Sequence, residues 1–178
     1  MEKGDRFELC DSHHVLGGFQ SKGETKKAIH HFEVVFGIAS PFNWHDHLFL
    51  AHYYLAQLFR VGGRFDDANT RIEHVKSHMT NSPHYLGLAT ELQAKVWYGK
   101  HRLEETRSEA LRGADMYEKL GAAKDVEDCR KLLQDIEKEL ATPVASGPGR
   151  ANFNCEILST MLFPTRINSP FSAQRFEQ

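Results

Sequence analysis

The chain holds 178 residues, 40% of them hydrophobic and 26% charged, with a formal net charge of −2. That balance fits one folded domain and argues against a disordered chain, and the lack of a basic stripe argues against a nucleic-acid partner. No apolar run approaches the ~18 residues that span a bilayer, and the opening MEKGDRFELCD lacks the apolar core of a secretory signal.

The predicted elements are all helices. Asp5 to Ser21 contains Phe7, Leu9, Val15, Leu16 and Phe19, is weakened by Gly17 and Gly18, and ends at Gly23. Lys26 to Ala39 places Ala28, Ile29, Phe32, Val35, Phe36 and Ala39 on one face, and Pro41 stops it. Asn43 to Asp46 supplies N-cap choices for the next helix, whose stripe is Leu48, Ala51, Leu55, Leu58 and Phe59. Gly62-Gly63 break the chain, and Phe65, Ala68, Ile72, Val75 and Met79 repeat the three-four spacing. Ser82-Pro83 reads as an N-cap followed by proline at the first helical position. That helix carries Leu86, Ala89, Leu92, Val96 and Trp97 to about Tyr98. Leu103 to Leu120 turns Leu103, Ala110, Leu111, Ala114 and Tyr117 inwards. Ala122 to Leu140 keeps Val126, Cys129, Leu133, Ile136 and Leu140 in register under a densely charged outer face, the pattern of a capping helix. From residue 141 to residue 178 the texture changes: four of the six prolines fall there and no periodicity is visible, so this tail is expected to be mostly disordered. Its apolar run Ile157 to Phe163 is a candidate for docking onto the helices.

The helices group into hairpins that repeat. Small residues mark equivalent points of the second helices, Ala28, Ala68 and Thr106, spaced 40 and 38 residues apart. Four residues on stand Phe32, Ile72 and Ala110. The first helices show Leu16-Gly17, Leu55-Ala56 and Gln93-Ala94, each followed by an aromatic: Phe19, Phe59 and Trp97. A small side chain at a crossing lets two backbones approach, and a large one on the next turn fills the gap to the neighbouring hairpin.

On these residues the chain resembles the tetratricopeptide repeat (TPR) family over roughly Arg6 to Leu140. The best match is Leu55-Ala56, Phe59, Gly63, Ala68 and Ile72, with Pro83 after a longer loop. The period is nearer 40 than the family's 34, as in kinesin-light-chain-like repeats. The first copy is one residue short between Leu16 and Gly23, and the third has His101 and Thr106 at the glycine and alanine positions. The resemblance implies an all-α fold, a short α-solenoid of about three hairpins plus a capping helix spanning residues 5–140. It also implies a non-enzymatic scaffold that binds a protein or peptide segment on its concave face. The family's groove positions fall on Leu50, Tyr53, Gln57, Arg60, Leu88, Glu91, Lys95 and Tyr98, with His13 and Gln20 from the first hairpin. Joint replacement of Tyr53, Arg60 and Lys95 is expected to abolish capture of a partner while leaving the melting temperature little changed. The asparagine positions of the family's chaperone-tail clamp fall on Gly17 and Tyr54, which disfavours that ligand. The alternative is that the chain is a fragment of the sensor or regulatory repeat region of a larger fungal NTPase-type signalling protein, whose TPR regions AIHHFEVVFGIASPFNWHDHLF also resembles.

No cofactor or catalytic residue is expected. Phosphate-loop, dinucleotide-loop and nucleophile-elbow motifs are absent from the sequence. The acidic pairs Asp66-Asp67 and Glu104-Glu105 fall in first turns, where they favour the positive end of the helix dipole. Eleven histidines invite a metal reading, with His45 and His47 at a helix start and His74 and His78 at i, i+4, but two ligands on one face fall short of a zinc site. Cys10, Cys129 and Cys155 are too far apart for a ligand pair or a disulfide framework, which points to a reducing, cytoplasmic compartment. Nothing in the sequence fixes an oligomeric state.

Overall fold

The computed structural model describes residues 3–78 and 81–141. Seven α-helices follow one another: α1 (Lys3–Gln20), α2 (Thr25–Ala39), α3 (His45–Val61), α4 (Phe65–His78), α5 (Pro83–Gly99), α6 (Leu103–Lys119) and α7 (Ala123–Ala141). A short 3-10 turn, Ser40–Phe42, joins α2 to α3 around Pro41. No strand occurs among the described residues. Consecutive helices pack on each other, and α3 also touches α1 and α5. The chain is all-α, as its periodicities require, and helix ends lie within two residues of those expected. Met79 and the tail expectations for residues 142–178 lie outside the described residues.

The turns show why the helices stop where they do. After α3, Leu58, Arg60 and Phe59 carbonyls accept from the amides of Gly62 (3.0 Å), Gly63 (3.0 Å) and Arg64 (2.8 Å). Thirty-eight residues on, Val96, Tyr98 and Trp97 do the same for Lys100 (3.1 Å), His101 (3.0 Å) and Arg102 (3.0 Å). Met116, Glu118 and Tyr117 repeat the pattern with Leu120 (3.2 Å), Gly121 (3.1 Å) and Ala122 (3.0 Å). In each turn one residue takes a left-handed conformation that satisfies the orphan carbonyls: Gly63 (φ 72°), His101 (φ 57°) and Gly121 (φ 69°). The repetition reaches the side chains. Arg64 lies 4.3 Å over the Phe59 ring, and Arg102 lies 4.4 Å over Trp97. The turn after α1 departs from this scheme. There Glu24 N bonds to Gln20 O at 2.8 Å, one residue later than its counterparts, and Gly23 is not left-handed. The missing residue between Leu16 and Gly23 has this physical consequence.

The core follows the small-on-large logic. A side chain added at Gly17 would stand 2.9 Å from Phe32 Cζ, so the Phe32 ring of α2 fills the space that Gly17 leaves on α1. Ala56 and Ile72 belong to the central core with Phe32, Leu55 and Leu92. In the third hairpin both partners are small, Ala94 and Ala110, and Leu132 and Ile136 of α7 complete that cluster. Helix α7 thus supplies the bulk that α5 and α6 lack there. Full burial of such a Leu or Ile stabilises by about 1.5–3 kcal/mol.

Several expectations need correction. Helix α3 is buried nearly all round, including His47, Tyr53, Gln57 and Arg60, because α1, α2, α4 and α5 all pack against it. Val15 (69%), Phe19 (81%) and Leu111 (52%) are exposed, and the inner face of α1 is carried by Cys10 and Gly17 instead. On α7, Leu132 is buried where Leu133 was expected. Ser82 is the N-cap of α5 with Pro83 following, as expected, but neither its side chain nor that of Trp44, the N-cap of α3, makes a capping hydrogen bond. Cys10 and Cys129 are free and buried.

Candidate binding face on the first helices of the hairpins

The residues expected to line a groove come from α3 and α5, which lie in contact. Tyr53, Gln57 and Arg60 are spaced four and three residues apart on α3, so they share one face. Leu88, Glu91, Lys95 and Tyr98 do the same on α5. Five of these eight side chains, Tyr53, Gln57, Arg60, Leu88 and Glu91, are buried, whereas Leu50, Lys95 and Tyr98 are half-buried. They do not form an open row of solvated groups, so replacing Tyr53 or Arg60 removes buried packing and lowers stability. That burial argues against the expectation of an unchanged melting temperature on that replacement.

Burial here comes with charge. Glu91 lies at the centre of a polar cluster. Tyr117 of α6 donates from its hydroxyl to Glu91 Oε2 at 2.9 Å, and Lys95 Nζ donates to Glu91 Oε1. Gln57 reaches the Tyr53 hydroxyl, and Glu91 and Arg60 both act electrostatically on Tyr53. Burial, then the Glu91 carboxylate, pushes the Tyr53 and Tyr117 phenols well above their ordinary range, so both stay neutral hydrogen-bond donors. The Arg60 guanidinium is 2% exposed, and its Nε and Nη2 have no acceptor. Burial lowers its pKa while Tyr53 and Glu91 oppose the shift. Arg60 and Lys95 act on Glu91, and Asp125 of α7 is a second acid acting on the same group. Buried donors without acceptors cost about 1–3 kcal/mol each.

Other candidates lie apart from this cluster. Tyr98 packs with the Ala94–Leu132–Ile136 group, and burial followed by the Glu139 carboxylate raises its phenol to about 12. Leu50 packs against the central core. His13 Nδ1 stands 2.8 Å from His31 Nδ1 on α2, and Gln20 is half-buried with Oε1 lacking a partner. Tyr117 was legible only as a packing residue. The signal that could have found its role is general: a buried tyrosine hydroxyl needs a partner, and Glu91 is the acid brought to it.

Among the described residues no group of three or more His, Cys, Asp or Glu side chains is arranged to hold a metal ion, and no helix is long and apolar enough to cross a membrane. Comparison with protein-family models, with curated proteins and with solved structures finds no match to this chain.

Proposed function

We propose that the chain is a short TPR-like α-solenoid that acts as a non-enzymatic interaction module, holding a protein or peptide segment along its first helices. The thrice-repeated left-handed turn and the contacts of α3 with both α1 and α5 support the solenoid reading. The observation that carries the binding reading is Arg60, a buried guanidinium with two donors unmet beside Tyr53 and Glu91. A main-chain carbonyl or a carboxylate from a bound segment supplies the missing acceptor, and half-buried Lys95 and Leu50 mark where that segment meets the surface. The reading is of a cytoplasmic protein with no cofactor.

The test is capture from a cell extract by the intact chain, repeated with Leu50→Asp and Lys95→Glu. Loss of the captured partner in both variants, each shown to remain helical by circular dichroism, is the expected result. Capture unaltered by either substitution moves the site off this face.

A second reading has its own support. Leu9, Val15, Leu16 and Phe19 leave an exposed apolar stripe on α1, as suits a hairpin stacked against a further repeat in a larger signalling ATPase. A phosphate-loop module encoded upstream in the same reading frame supports it, and an isolated reading frame removes it.

A further inference from the structure

A second feature lies between the end of α2, the start of α3 and the end of α4. A cavity of about 480 Å³ opens there, within the size range of small-molecule sites. Its apolar lining is Phe36, Leu48, Phe49 and Val75. Its polar lining is Ser40 and Asn43 together with five basic side chains, His45 and His52 of α3 and Arg71, His74 and His78 of α4. No carboxylate lines it. Glu33 and Asp67 line a neighbouring cleft that shares Arg71 and His74, and Asp67 is engaged by Arg64 at 2.7 Å.

The ring geometry selects the ligand class. His52 and His74 stack with centroids 5.2 Å apart and planes 13° apart, and His74 and His78 stack at 5.9 Å and 27°. Parallel rings cannot aim their lone pairs at one point, which disfavours a metal ion. His74 is flanked by His52 and His78, and Phe36 packs T-shaped on His52 at 5.1 Å, so imidazole and phenyl rings together make an aromatic wall of the cavity. The Arg71 guanidinium, 5.9 Å over the Phe36 ring, supplies the planar fork that matches a carboxylate. His52 Nδ1 is buried and has no partner. Burial first, and then the charges of Arg71, His74 and His78, pull the His52 pKa down to about 4. Arg71 carries the permanent positive charge among the lining residues.

We propose that this cavity is a binding site for a small aromatic carboxylate, its ring against Phe36 and the stacked imidazoles and its carboxylate on Arg71. The site is separate from the Arg60 face and stands or falls without it.

Three probes of one shape test this on the full chain: 2-naphthoate, the neutral 2-naphthylmethanol and the cationic 2-naphthylmethylamine. Imidazole resonances of His52 and His74 report occupancy by NMR. Saturable shifts with 2-naphthoate are expected, with the amine at least about tenfold weaker, the scale of one charge-assisted hydrogen bond. Arg71→Met, which keeps the apolar stem on Phe36, is expected to weaken naphthoate by a similar factor. His78→Gln, an exposed substitution, is expected to weaken it less. The proposal is overturned if naphthoate moves neither resonance, if the amine binds as tightly, or if a folded Arg71→Met chain binds naphthoate unchanged. Should Arg71→Met not fold, the ranking of the three probes on the unsubstituted chain decides.

Discussion

The Tyr117 phenol donates to Glu91 Oε2 at 2.9 Å, and its ring also lies where a side chain at Gly87, one turn before Glu91, would stand 2.9 Å from its Cε1. Helix α5 thus gives up a side chain at Gly87 so that a fully buried tyrosine can reach a buried acid. Tyr117→Phe keeps the packing and removes the donor. Glu91 then loses the partner of one oxygen, and the variant is expected to be about 1–3 kcal/mol less stable by urea denaturation. A variant as stable as the parent shows that the bond contributes nothing.

Two helical glycines are expected to respond in opposite directions to alanine. At Gly99 an added Cβ would meet Phe65 Cε1 at 2.4 Å, where α4 packs on the end of α5. Gly99→Ala is expected to destabilise by roughly 1–3 kcal/mol through overpacking. At Gly37 in α2 nothing lies within 4 Å, so Gly37→Ala is expected to stabilise by about 0.5–1 kcal/mol through helix propensity alone. Thermal denaturation of the pair checks both signs.

His101 occupies the left-handed position that Gly63 and Gly121 fill in the equivalent turns. A side chain there costs about 1 kcal/mol. His101→Gly is expected to raise the stability by up to that amount, less whatever the long 3.9 Å approach to Glu139 contributes. A lowered melting temperature shows that the histidine side chain outweighs its backbone strain.

Acid should weaken the fold through His52. Its pKa falls from an ordinary 6.5 to about 4, chiefly by burial, so the folded state favours the neutral ring. That stability is complete above pH 6.5 and is lost as pH drops from there through about 4. Burial likewise lowers His14, so it acts in the same sense. Each pKa unit corresponds to about 1.4 kcal/mol. His52 is half-buried, and solvent screening brings its expected share to about 1–2 kcal/mol. Urea midpoints at pH 7 and pH 4.5 measure the loss, and His52→Gln is expected to shrink it. An unchanged slope in that variant assigns the acid sensitivity elsewhere.

The helices and their limits were legible in the sequence because the forces that set them are local. Three-four spacing, Pro41 and Pro83, and the Gly63 and Gly121 turns act within a few residues. Even the slipped first turn showed as one residue missing between Leu16 and Gly23. What only the tertiary structure decided is where each face points and what meets across helices. Because α3 is enclosed by α1, α2, α4 and α5, Arg60 and Gln57 are buried. Phe19 and Leu111, apolar by composition, lie exposed. His45, His52, His74 and His78 follow no linear motif, yet the packing of α3 on α4 sets all four around one cavity beside Arg71. Burial and electrostatics depend on neighbours distant in the chain, and periodicity carries no record of them.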